Sequence, residues 1–74
     1  MKTIKPSIKE IQDHYYYCGI CTITLQNGQK ITGNFTSGQI KEHGKIIGWN
    51  FIPFKEKPII PIYHDQIAMI EKPD

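Results

Sequence analysis

Seventy-four residues with nine lysines, no arginine and seven carboxylates carry a net charge of +2 at pH 7, enough chain for one domain and too little charge for a polyelectrolyte tail. Without a guanidinium fork there is no two-point clamp for guanine edges or phosphate, which argues against tight recognition of duplex DNA, although lysines still track a phosphate backbone as point charges. Two cysteines make no disulfide framework, no apolar run approaches a membrane span, and Ile4, Ile8 and Ile11 are interrupted by Lys5, Pro6, Lys9 and Glu10, so the expected setting is the cytoplasm, away from membranes.

Residues 1–6 read as a loose arm. Ser7-Ile8-Lys9-Glu10 then matches a capping box, in which the Ser hydroxyl accepts from the Glu10 amide and the Glu10 carboxylate reaches back to the Ser7 amide. Ile8, Ile11 and Tyr15 place one apolar stripe on a short helix at about 7–17, which is too short to stand alone and is expected to lie on an open end of a sheet.

The stretch 19–35 specifies strand, turn and strand. Cys21, Ile23 and Leu25 alternate with Ile20, Thr22 and Thr24, giving a first strand at about 18–25. A two-residue turn at Asn27-Gly28 would set Leu25 against Lys30 and Ile23 against Thr32. A three-residue loop, Gln26-Asn27-Gly28, with Gly28 left-handed in a bulge, sets Leu25 against Gln29 and Ile23 against Ile31, and brings Gly33 and Phe35 to the same side. Because a one-residue slip turns every side chain to the wrong face, the bulged register is preferred, with the second strand at about 29–36.

Residues 36–44 are polar apart from Ile40 and form either a loop or an extension of the second strand. A third strand at about 45–52 is apolar on both sides, with Ile47, Trp49 and Phe51 on one and Ile46, Gly48 and Ile52 on the other. That pattern suits a central, bent strand or an interface, and Gly48 is a candidate bend. After a loop at 53–58 comes a strand at about 59–63 whose Pro61 confines it to an edge or bulge. A turn at His64-Asp65-Gln66 leads into a last strand at about 67–71. The sum is mainly β: a small five-stranded SH3-like or Sm-like barrel with a short amino-terminal α-helix, spanning 1–74 as one domain.

These residues resemble the Sm-like family, and within it the Hfq-type RNA chaperones. The first Sm motif reads here as Ile23, Leu25, Gly28, Ile31, Gly33 and Phe35, and the Hfq-type run as Asn27, Gly28, Lys30, Ile31, Gly33, Thr36 and Ser37. Ile62, Ile67 and Ile70 meet the apolar spacing of the second motif. The resemblance covers about half of the chain and implies RNA binding by a ring of subunits. The chain departs from the pattern where the first motif's Asp falls on Gln39, where the second motif's basic pair falls on Tyr63-His64-Asp65, and where Pro61 enters the strand that family subunits use to join their ring.

Three constellations carry candidate chemistry. Cys18-Gly19-Ile20-Cys21 has zinc-knuckle spacing, with His14 upstream and His43 or His64 as a fourth ligand, yet side chains three apart on a strand face opposite ways, so two small core residues are the expected reading and no metal or cofactor is assigned. His64-Asp65 lacks a nucleophile to serve, which leaves turn chemistry and no enzyme activity or small-molecule substrate. Three consecutive tyrosines cannot all point inward. Tyr16, Tyr17 and Tyr63, with His64, Lys30, Lys41 and Lys45, therefore form a candidate stacking and charge surface for single-stranded RNA, by the resemblance and by aromatic and lysine content. The rival is a protein-interaction patch of Trp49, Phe51 and Phe54, because a thin-cored domain gains from burying such rings against a protein partner or a second copy.

Overall fold

The computed structural model describes residues 2–55 and 58–73. Met1, Glu56, Lys57 and Asp74, assigned above to the arm, the 53–58 loop and the tail, lie outside them. The described chain is mainly β: strands β1 (Lys2–Ile4), β2 (Cys21–Leu25), β3 (Lys30–Asn34), β4 (Gln39–Glu42), β5 (Lys45–Pro53), β6 (Ile60–Tyr63) and β7 (Ile67–Glu71) form one antiparallel sheet with a short helical segment before β2. Among the described residues no helix is long and apolar enough to cross a membrane.

The helical segment starts where the capping box places it. Ser7 Oγ accepts from the Glu10 amide and Glu10 Oε1 accepts from the Ser7 amide, both at 3.1 Å. One α turn, α1 (Ile8–Glu10), continues as a π-helical turn, Ile11–Tyr15, closed by the Tyr16 amide on the Ile11 carbonyl at 2.8 Å. The expected uninterrupted α-helix to about residue 17 is thereby corrected. The wider turn brings Ile11, Tyr15 and Tyr16 inward together, which a 3.6-residue period would not do. The segment packs on the sheet through Gln12, whose Oε1 accepts from Trp49 Nε1 at 2.5 Å.

The β2–β3 hairpin has the bulged register. Ile23 pairs with Ile31 and Cys21 with Gly33. The Leu25 amide donates to the Gln29 carbonyl at 2.8 Å, and the Gly28 amide closes the turn on Leu25 at 2.9 Å. Gly28 has φ +90, a conformation in which a Cβ would be strained. Alternation then sends Cys21, Ile23 and Phe35 into the core, with Leu25 and Ile31 partly buried against it.

β5 is the spine. β4 and β6 both pair with Gly48 and Trp49, so they flank β5 on opposite edges, while β3 takes its far end at Ile52 and Pro53. Its core side carries the fully buried Trp49 and Phe51, while Ile46, Asn50 and Ile52 on the other side are half-buried. Close approach replaces side chains where the sheet folds over: a Cβ on Gly48 would lie 2.5 Å from the Ile62 carbonyl oxygen, and one on Gly33 would overlap that of Ile52. Phe35 sits edge-on between Trp49 and Phe51, with centroids 5.7 and 5.0 Å away, and makes the aromatic centre of the core.

Two strands exceed the expected five. Gln39–Glu42, expected as a loop or an extension of the second strand, is instead a separate strand that follows a turn at 35–38 and pairs with β5 across a bulge between Ile40 and Lys41. Lys2–Ile4, expected to be loose, pairs with the outer edge of β7. Thr3 Oγ1 shares a hydrogen bond with the Tyr15 hydroxyl at 2.5 Å, and the Lys5 amide donates to the Ala68 carbonyl at 2.7 Å. Those two anchors hold an arm whose sequence has no strand signal of its own. Among the described residues β6 pairs only with β5, so Pro61 is on an edge, as its missing donor requires. A 3-10 turn, His64–Gln66, leads into β7, which returns to pair with β2.

Candidate functional site

Folding separates the residues singled out as an RNA surface. Tyr16 is buried, which corrects its assignment as a stacking ring, and Tyr17 is 83% exposed with its ring edge-on to Tyr16 at 4.6 Å. The widened helical turn explains the split, because it spends its extra residue carrying Tyr16 into the core. Lys41 and Lys45 are exposed on the β4–β5 hairpin, where Glu42 pairs with Lys45. Lys30 is exposed at the start of β3. Tyr63 is partly exposed, whereas His64 is half-buried, donating from Nε2 to the Pro6 carbonyl at 2.7 Å with its ring 6.4 Å from that of Trp49. His64 thus ties the arm to the turn before β7.

The protein-interaction patch is likewise not assembled. Trp49 and Phe51 are fully buried, because their side of β5 faces the core, so neither can contact a partner in this fold. Phe54, just past the strand, is 54% exposed.

The cysteines read as core residues. Cys21 is fully buried, and Cys18 is half-buried with its thiol 3.7 Å from the Gly19 carbonyl. Burial, followed by the neighbouring Cys18 thiol, pushes the Cys21 thiol up to about 12, so it stays protonated at neutral pH and is a poor nucleophile or metal ligand. His14 is exposed, and among the described residues no three His, Cys, Asp or Glu side chains gather as a metal site would require.

Among the open grooves lined by described residues, two are roomy enough to take a ligand. One, of about 600 Å³, lies between the helical segment and the turn before β7, lined by Ile8, Ile47, Tyr63, His64, Asp65 and Gln66. The other, of about 550 Å³, lies where the end of β5 runs beside β3. There the Phe54 amide donates to the Thr32 carbonyl at 2.8 Å, which extends the β3–β5 pairing past Pro53 and brings Phe54 alongside Lys30 and Thr32. Lys55, at φ +68, turns the chain away. Ile31, Pro53, Pro58 and Ile60 also line this groove, and both lysines are exposed at its rim. It offers one exposed aromatic ring in a lining of mixed polarity, with two ammonium groups beside it.

No family model, curated protein or solved structure matches this chain. The chemistry of the grooves therefore carries the functional reading. The first groove has an exposed carboxylate, Asp65, and its imidazole is already engaged with Pro6, which suits a polyanion poorly. The second has the opposite balance. In the sequence Lys30 and Phe54 belong to different candidate surfaces, and Lys55 to neither. No signal in the sequence joins them: the bulged turn sets β3 on β2, and only the register of β3 on β5 puts Phe54 opposite Thr32.

Proposed function

We propose that this chain is a small Sm-like barrel that works as a cytoplasmic binding module rather than an enzyme, and that it binds single-stranded RNA weakly in the Lys30–Phe54–Lys55 groove. The barrel reading is supported by the return of β7 onto β2 after a 3-10 turn and by the two glycine-enabled close approaches that curl the sheet around the Phe35 ring. The observation that carries the ligand is the exposed Phe54 ring sharing one groove with two lysines. A base stacked on such a ring gains about 1–3 kcal/mol whatever its identity, and two lysines neutralise two flanking phosphates as point charges.

Pro61 in edge strand β6, and β1 laid along the outer edge of β7, favour a module that acts without closing into a family-type ring. Fluorescence anisotropy with labelled U-rich and A-rich oligonucleotides at low salt tests the reading. Binding in the micromolar range is expected, with little difference between the two sequences. Phe54→Ala should weaken it about tenfold or more, and the slope of log K on log salt should be shallow, about −1.4 for two phosphate contacts. Absence of binding at tens of micromolar protein, or a Phe54→Ala variant that binds as well as the parent, removes this reading.

A further inference from the structure

The arm that covers β7 is held in place at the expense of its own hinge. Lys2, Thr3 and Ile4 pair with Glu71, Ile70 and Met69, and the chain then reverses at Lys5 to enter Pro6, Ser7 and the helical segment. Lys5 has φ +48, in the left-handed region that disfavours any residue with a Cβ. It also precedes Pro6, and the proline ring confines the residue before it to extended backbone. The same positive φ thus runs against both preferences. Ile4, next to it, remains 69% exposed, so closing the arm gains little apolar burial there.

We propose that residues 2–4 exchange between two copies of this chain, each arm adding to the outer edge of the other copy's β7. The docking edge and the Tyr15 hydroxyl that Thr3 meets are the same in either copy, so the contacts of residues 2–4 can be remade across the pair, while the bond from the Lys5 amide to the Ala68 carbonyl belongs to the hinge and is given up on opening. Only the hinge changes. With the arm extended, Lys5 leaves the left-handed region and satisfies the restriction set by Pro6, and the relief is counted twice in a symmetric dimer. Short hinges under strain are the circumstance in which element exchange becomes favourable. What opposes it is association entropy, so the dimer is concentration-dependent and slow to form from closed monomers.

The test uses the whole chain, refolded from denaturant at millimolar and at micromolar concentration and examined by sedimentation velocity. A dimer is expected from the concentrated refolding. In a dimer refolded from mixed isotope-labelled and unlabelled chains, filtered nuclear Overhauser spectra should show contacts between Ile4 of one chain and Met69 of the other. Lys5→Gly, which tolerates the closed hinge, should lower the dimer association constant about tenfold or more while the monomer stays folded. The proposal is overturned by a chain that remains monomeric after concentrated refolding, by a dimer whose Ile4–Met69 contacts are all within one chain, or by an association constant that Lys5→Gly leaves unchanged.

Discussion

At Gly33 the second strand of the hairpin runs so close to β5 that a Cβ would overlap the Ile52 carbonyl oxygen and stand 2.9 Å from the Phe51 ring. Neither neighbour can give way cheaply: one is backbone in a paired strand, and the other is a fully buried ring packed edge-on against Phe35. Gly28 poses the reverse situation. Nothing lies within 4 Å of where its Cβ would be, and only its φ of +90 excludes a side chain. The two sites therefore predict different penalties for the same substitution. Gly33→Ala should cost about 3 kcal/mol or more, since it forces β3 and β5 apart, and denaturant unfolding should place its midpoint far below that of the parent. A loss under about 0.5 kcal/mol, the range of neutral surface changes, would show that this crossing is looser than its geometry implies.

The β2–β3 hairpin was legible as an element because three local signals agreed: alternation in 21–25, the Asn27-Gly28 turn, and the apolar pairing that only the bulged register gives. Gly28→Ala tests that element alone. It should cost about 1–2 kcal/mol, the left-handed penalty without any steric clash, and hydrogen exchange should quicken at the Leu25 and Gly28 amides that close the turn. Unchanged stability would mean the loop had taken another conformation.

Elements held by distant partners were not legible. β1 carries Lys2, is followed by Lys5 and has no alternation, and it is a strand because β7 pairs with it while Tyr15 and Ala68 anchor it. β4 is polar and becomes a strand because β5 offers it an edge. The π-helical turn leaves no trace in the stripe Ile8, Ile11, Tyr15, which fits an ordinary helix equally well, and that is why Tyr16 could be read as exposed. The candidate groove failed to emerge for a related reason: Lys30 and Lys55 are far apart along the chain and meet only through the register of β3 on β5.

On the scale of the whole molecule, the core is an aromatic cluster closed by the helical segment, with Cys21 in its interior beside Gly33 at the start of β2. Because that thiol is fully buried, its ionisation and the unfolding of the chain are linked. Burial first, then the Cys18 thiol, raise its pKa from an ordinary 9.0 to about 12, with Lys72 pulling weakly the other way. The folded state therefore keeps a proton that the unfolded state begins to lose near pH 9, so stability is full below that pH and declines as pH rises from 9 toward 12. The slope from one such group is about 1.4 kcal/mol per pH unit at most. The comparison is made between variants, so that every contribution other than that of Cys21 cancels. Cys21→Ala should be less stable than the parent at pH 8 through lost packing, yet its urea midpoint should fall less steeply between pH 8 and pH 10.5. Parallel declines in the two proteins would mean that the Cys21 thiol ionises in the folded state as easily as in the unfolded one, and that water reaches the start of β2.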